Sequence, residues 1–455
     1  MHPVPSGPGV ARPEGDDMPA WIDHAIWWHV YPLGFTGAPS AALAPGEPVQ
    51  HRFAHLTAWL DYAVELGCNG VVLGPVFASA SHGYDTIDHL RIDPRLGDDG
   101  DWDAFVVAAR ERGVRLVLDG VFNHVGRDHP RVVQALAEGP DSAAGGWVRW
   151  RTGIDGVPEP DVFEGHGALV ALNHDNPDVA DHVADVMTHW LGRGADGWRL
   201  DAVYAVPAAF WQRVLPRVRA AHPEAWVLGE MIHGDYAEYV AESGIDSVTQ
   251  YELWKALWSS ILDLNLFELA WALQRHAAFA AAFLPYTFVG NHDVTRLAST
   301  VTDSRHVTHA LAVLFFVAGT PSVYAGDEQG FRGVKEERAG GDDAIRPPFP
   351  AAPSGLAPDG WPLYREHQRL IGFRRRYPWL AHARLEVIHV ENERLVLAAL
   401  SPEGERLVLT LNLGDEPFAP ALPSAELILR SGENPASSAP LGAPVVGPHA
   451  WAIHR

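Results

Sequence analysis

Cysteine is nearly absent. Cys68 is the only one in 455 residues, so no intrachain disulfide can form and Cys-rich zinc sites are excluded. This usage fits a reducing compartment, and the expectation is a cytoplasmic protein. Basic residues are scarce as well: 34 Lys and Arg stand against 57 Asp and Glu, a formal net charge of −23. Such a field repels phosphate backbones, so a nucleic-acid partner is not expected. Long apolar runs are missing. The Ala-rich stretch 267–283 is broken by Glu268, Gln274, Arg275 and His276, so it reads as a buried helix and no membrane partner is expected. The first 20 residues, with Pro3, Pro5, Pro8 and Pro13, lack an apolar h-region and read as a flexible tail, neither signal peptide nor anchor. No nucleotide fingerprint is present, since the glycines near Gly330 and Gly340 follow no G-x-G-x-x-G spacing.

What remains is ordinary globular composition, 47% hydrophobic and 20% charged, with ample chain for a large core. The 17 Trp and 11 Tyr are stock for core packing or for flat platforms under ring-shaped ligands. Short apolar runs alternate with amphipathic stretches. Strands are predicted at 26–31, 69–73, 114–121, 197–201, 225–230, 245–249, 286–289 and 322–324. Helices are predicted at 56–66, 102–112, 179–191, 207–221, 236–243, 262–283 and 309–317. An open doubly wound sheet fits the first five units nearly as well. The length of the series favours a closed (β/α)8 TIM barrel.

Two segments break the rhythm. Residues 124–172 are too long for a βα connection and read as a small inserted domain after strand 3. From 382 to 455, five strand-like runs are split by Asn/Gly/Pro turns, which predicts a C-terminal antiparallel β-sandwich domain. The organisation is therefore a tail over 1–20, barrel over 21–123 and 173–381, an insertion over 124–172, and the β domain over 382–455.

Polar residues collect where the predicted strands end: Asp119, Asn123 and His124 at strand 3, Arg199 and Asp201 at strand 4, Glu230 at strand 5, and Asn291, His292 and Asp293 at strand 7. A barrel gathers those ends into one rim, the usual place for catalytic groups. Arg199 and Asp201 lie two apart on a strand and share a face, so Arg199 is expected to hold Asp201 ionised, ready as a nucleophile. Glu230 follows Val227, Leu228 and Gly229, and apolar company with nearby carboxylates suits a general acid. One ionised and one protonated carboxyl make the pair for double displacement at a glycoside. His124 and His292 are placed to hydrogen-bond sugar hydroxyls.

At these residues the chain resembles the α-amylase family of retaining α-glucan-active enzymes, glycoside hydrolase family 13, over 26 to about 350. DGVFNH at 119–124, GWRLD at 197–201, Gly229-Glu230 and GNHD at 290–293 resemble the family's four conserved stretches in order. The resemblance implies Asp201 as nucleophile, Glu230 as general acid/base, and Asp293 as the third carboxylate, which grips sugar hydroxyls. HGYD at 82–85, with IDPR at 92–95, resembles the stretch after strand 2, which implies that Tyr84 stacks on the bound sugar with Asp85 beside it. GTPSVYAGDE at 319–328 resembles the strand 8 stretch, and Asp342 with Arg346 the pair that closes the terminal-sugar subsite of exo-acting members. One such motif is weak; six in order are strong.

The implied activity is retaining hydrolysis of short α-glucosides or maltooligosaccharides, small soluble partners. Ala202, after the nucleophile, resembles α-1,4-acting members. The alternatives are a transglycosylase or isomerase of the same family, with sucrose, trehalose or maltose as donor, and a non-catalytic sugar-binding relative. Acceptor-side residues decide between hydrolysis and transfer: Tyr204, Met231, Ile232, His233 and Trp254. Tyr204-Ala205 stands where many starch-binding members carry Lys-His. No cofactor is required for this chemistry. A structural calcium near Asn123 and Asp175 stands beside an equal reading, a hydrogen-bond network that holds the inserted domain.

Overall fold

The computed structural model describes residues 18–338, 340–422, 425–432 and 444–455. Most of the expected tail, 1–17, lies outside the described residues. Eight parallel strands run in chain order: β1 Trp27–Val30, β2 Gly70–Leu73, β3 Arg115–Gly120, β4 Gly197–Leu200, β5 Trp226–Gly229, β6 Ser247–Val248, β7 Tyr286–Phe288 and β8 Thr320–Tyr324. Each pairs with its sequence neighbours, and β8 pairs with β1. A parallel bridge between Thr249 and Tyr286 joins β6 to β7 and closes the ring. The chain is therefore a (β/α)8 barrel.

Apart from Arg115 at the start of β3, the strands are buried along their length, which is why they read as continuous apolar runs. Inside, Trp27 and Trp226 stack at 5.1 Å and pack with Val72, Val117, Leu228, Tyr286 and Phe288. Gly70 makes room for this layer, since a Cβ there would lie 2.4 Å from the Trp27 ring. The short 3-10 helix Ala20–His24 closes the lower end, with the Trp21 ring edge-on to both tryptophans and Ile22 buried among the same residues.

The outer helices are α1 Leu60–Leu66, α2 Asp99–Glu111, α3 Pro177–Gly192, α4 Ala208–Ala221, α5 Tyr236–Ser243, α6 Leu266–Ala280, α7 Val307–Phe316 and α8 Trp361–Arg376. Local chemistry sets their starts. Asp98 and Asp101 form a reciprocal capping box on α2, and Asn176 caps α3 ahead of Pro177. One expectation is corrected here. The helix predicted over 262–283 is α6, Leu266–Ala280, and a further helix before it, Tyr251–Leu262, was not predicted. Leu264 turns left-handed at φ 49° between them.

After β3 the chain makes its excursion. His124–Gly126 pairs antiparallel with Leu169–Ala171, enclosing the helix Pro130–Glu138 and the hairpin of Trp150–Thr152 with Pro158–Pro160. The C-terminal strands are β9 Arg384–Val390, β10 Arg394–Leu400, β11 Arg406–Asn412, β12 Leu427–Arg430 and β13 Ala450–His454, in the sheet order β9-β10-β11-β13-β12. Val396, Ala398 and Val408 on this sheet are covered by Phe418 and Leu422, and a Phe418–Val446 bridge closes that layer.

Candidate active site

A cavity of about 640 Å³ opens where the strands end. Asp201 follows β4, Glu230 follows β5 and Asp293 lies beyond β7, and all three line it. Asp201 and Glu230 are each 7% exposed, low enough that every neighbouring charge counts.

Arg199 organises the floor. Its Nη1 donates to both oxygens of Asp119, at 2.7 and 2.8 Å, and lies 3.4 Å from Asp201 Oδ1. Its Nη2 lies 2.5 Å from Glu230 Oε1. Arg199 is thus spent mainly on Asp119 and Glu230. The expectation that it holds Asp201 ionised is corrected. Burial pushes the Asp201 carboxyl well above the usual range, Glu230 adds to this, and Arg199 opposes without prevailing.

Asp293 has the opposite character. Burial disfavours its charge, yet His292, Arg346 and Arg199 hold it well below the carboxylate range. His292 Nε2 lies 3.0 Å from its Oδ2, and Arg346 Nη2 lies 2.7 Å from its Oδ1. Arg346 also pairs with Asp342 at 2.9 Å, donates from Nε to the His292 carbonyl, and lies over the Tyr31 ring at 4.5 Å. The predicted Asp342–Arg346 pair is thereby brought to one end of the cavity.

His292 is fully buried between Tyr31 and Tyr84, whose rings stack on it at 5.7 and 5.6 Å. Its Nδ1 is hydrogen-bonded to His29 Nε2 at 3.1 Å. The Tyr84 hydroxyl donates to Asp119 Oδ2 at 3.1 Å and meets His292 Nε2. His124 lines the cavity with Phe163 stacked on it at 4.7 Å. Asp85 is not in the lining: its carboxylate accepts the Ser81 N–H and hydroxyl and shapes the turn that presents Tyr84.

On the acceptor side the structure divides the predicted residues. Tyr204 and Ile232 line the cavity, and His233 packs on Tyr204 at 4.8 Å. Met231 is buried, with its N–H on Thr249 Oγ1. Trp254 packs against Tyr251 and Phe288 in the barrel wall. Four further site residues were not expected. Tyr31 and His29 stand at β1. Tyr251, at the start of the unpredicted helix, donates to Glu230 Oε1 at 3.3 Å and accepts from Asn291 Nδ2 at 2.8 Å. Glu164, from the insertion, accepts the Tyr204 hydroxyl at 3.0 Å. Its φ of 48°, rare for a non-glycine, marks that position, but no sequence signal does.

A structural calcium is one reading of Asn123 and Asp175, and a hydrogen-bond network is the other. A calcium ion takes six to eight oxygens. Asn123 is buried with its Nδ2 against His124 Nδ1, while Asp175 is exposed. The Arg213 guanidinium donates to the intervening His174 carbonyl, and His174 Nε2 is bonded to the Phe122 carbonyl. That guanidinium occupies the His174 carbonyl, whereas Asn123 Oδ1 is buried with no hydrogen-bond partner among the described residues.

The family model for the alpha-amylase catalytic domain matches residues 53–396. A cyclomaltodextrinase from a Bacillus species is 32% identical over 343 residues, 69% of this chain and 61% of that protein. The chain thus matches less than two thirds of that relative's length. A cyclomaltodextrinase from Geobacillus thermopakistaniensis is 28% identical over 437 residues, 90% of this chain and 72% of that one. Among solved structures, a cyclic α-maltosyl-(1→6)-maltose hydrolase from Arthrobacter globiformis superposes with a TM-score of 0.77 at 23% identity, covering 96% of this chain and 99% of that one. With three carboxylates at the ends of the barrel strands and a match over most of its length, the chain belongs to the α-amylase family.

Proposed function

We propose that the protein is a retaining α-glycoside hydrolase acting on short, α-1,4-linked maltooligosaccharides. The carrying observation is that Asp201, Glu230 and Asp293 face one cavity, whose wall at one end is the Arg346–Asp342 pair. That pair supports recognition of a terminal sugar. Asp293 stays ionised under Arg346 and is suited to accept sugar hydroxyls. A cytoplasmic setting fits the single buried thiol, Cys68.

Reaction requires Asp201 ionised and Glu230 protonated. Asp201 attacks the anomeric carbon while Glu230 protonates the departing glycosidic oxygen, and a covalent β-glycosyl ester forms on Asp201. Glu230 then takes a proton from water, which attacks the same carbon and restores the α configuration. The Asp293 carboxylate interacts more strongly as positive charge develops on the sugar, Arg199 positions the carboxylates it binds, and His124 and His292 are placed to hydrogen-bond sugar hydroxyls. Transfer to a second sugar is the competing reading, and one observation favours it: Tyr204 and Glu164 join the β4 loop to the insertion above the acceptor side.

The test is product analysis with maltotriose, isomaltose, sucrose and trehalose, each at low and high concentration, beside Asp201→Asn. Glucose from maltotriose alone, with a loss on the order of 10⁴-fold in the variant, is the expected result. Longer sugars at high concentration move the assignment to transfer. No turnover of any of the four sinks the substrate reading.

A further inference from the structure

We infer that His89, His129 and His182 form a binding site for one divalent transition-metal ion of the zinc type, which fastens the insertion to the barrel. The three residues come from three different elements. His89 lies on the strand Thr86–Ile92, His129 caps the helix Pro130–Glu138 inside the insertion, and His182 stands on α3. Each ring offers one nitrogen, and these nitrogens lie within 4.8 Å of one another. Zinc–imidazole bonds of about 2.0–2.1 Å in a tetrahedron bring such nitrogens to about 3.3 Å, so small ring movements complete the site.

Hydrogen bonds leave a nitrogen free on two of these rings. His89 Nε2 is bonded to the Val121 carbonyl at 3.0 Å, and a carbonyl only accepts. The ring proton is therefore on Nε2, and Nδ1 carries a free lone pair. That Nδ1 is buried and has no hydrogen-bond partner among the described residues, and neither has His182 Nε2. A metal-bound histidine is typically held in this way, by a carbonyl on its far nitrogen. His129 is held less firmly. Its Nδ1 accepts the Arg131 N–H at 3.2 Å, a bond at a helix start that water can take over when the ring serves an ion. Burial lowers the pKa of all three rings, His89 to about 3 and His129 to about 4, so they are neutral near pH 7 and ready to bind without losing charge. Nitrogen donors select zinc-type ions over calcium or magnesium, which take oxygens.

Two other clusters show the contrast. In the group Asp303, His306 and His449, the two rings are hydrogen-bonded to each other at 3.0 Å, His449 is bonded onward to Asp415, and Arg305 occupies Asp303. In the group His51, Asp98 and Asp101, the carboxylates form the capping box of α2. Their donors are already used. The three-histidine site is also independent of the sugar chemistry. It lies behind the Val121 carbonyl, two and three residues before Asn123 and His124, and so supports the segment that carries them.

The experiment uses the full chain, stripped with chelator and dialysed against zinc or cobalt(II). One ion per chain is expected, with the intense visible bands of tetrahedral cobalt. His182→Gln, at a partly exposed helix position that tolerates change, loses at least tenfold in affinity and loses the bands, and His129→Gln does the same. His306→Gln keeps both. Zinc slows proteolysis within 124–172 about tenfold in the parent and not in His182→Gln. Absence of stoichiometric binding to the parent overturns the proposal. So does binding that survives both His182→Gln and His129→Gln while circular dichroism shows them folded.

Discussion

Ala202 holds φ 47° and ψ 44°, directly after the proposed nucleophile, and its N–H donates to Glu230 Oε2 at 3.1 Å. A left-handed alanine costs roughly 1–2 kcal/mol that glycine avoids. The strained turn ties the β4 end to the β5 carboxylate, so it couples the two carboxyl groups proposed for the reaction. Ala202→Gly is expected to raise unfolding free energy by about 1 kcal/mol and to lower kcat as the turn loosens. An unchanged Tm would mean that surrounding packing, and not strain, sets this backbone. Tyr204 gives a second prediction at the same scale. Tyr204→Phe removes only the hydroxyl that Glu164 accepts. A net loss of about 1 kcal/mol shifts an equilibrium roughly fivefold. Transfer to added maltose should therefore fall about two- to tenfold relative to hydrolysis, read from the product ratio. An unchanged ratio would remove this pair from acceptor selection.

Helices α7 and α8 are joined by a buried cation with no carboxylate partner among the described residues. Arg374 on α8 donates to the carbonyls of Phe315, Val317 and Gly319 at the end of α7, at 3.3, 2.5 and 2.6 Å. Burial lowers its pKa to about 9. Arg374→Met keeps apolar volume and strands three carbonyls, at about 1–3 kcal/mol each. A loss of at least about 3 kcal/mol is expected in urea unfolding, with activity per folded molecule within about twofold. A loss below about 1 kcal/mol would show that water or backbone takes over the carbonyls. This scale also shows where sequence reading succeeds. Asp201, Glu230 and Asp293 were legible because each follows a short buried run, and a barrel makes the ends of such runs neighbours. Tyr251 was not legible. It opens a helix whose boundary rests on the Gln250 side chain accepting the Leu253 N–H, within an apolar stretch that pattern alone merges or misses. Trp254, expected at the acceptor, turns one helical step away and packs on Phe288.

The whole molecule adds what no local segment specifies. Glu164 reaches Tyr204 across 40 residues, and Arg199 divides its donors among three carboxylates, so neither contact nor partner choice could be read from spacing. Acid stability is likewise a property of the whole. His276, His309 and His367 are buried outside the site, and burial lowers each to about 4 from 6.5. Unfolded, each binds a proton below pH 6.5; folded, each stays neutral until about pH 4. Their contribution is complete above about pH 6.5 and is lost as pH falls toward 4, at most about 3 kcal/mol each. Glu328 works the other way. Burial raises it to about 7, so its stabilising share is full at low pH and is lost as pH rises from about 4.5 to 7. Three histidines against this one carboxyl make the balance favour neutral pH, and His309 isolates the term. Its Nε2 is bonded to the Asn412 carbonyl at 3.3 Å, which joins α7 to the C-terminal sheet. A glutamine can donate to the same carbonyl without titrating. His309→Gln is therefore expected to differ from the parent by a constant amount above about pH 6.5. Below that it should lose stability less steeply, with a gap that grows to about 3 kcal/mol near pH 4 in denaturant melts. Parallel pH profiles for parent and variant would show that His309 protonates in the folded protein, and that some other group sets the acid limit.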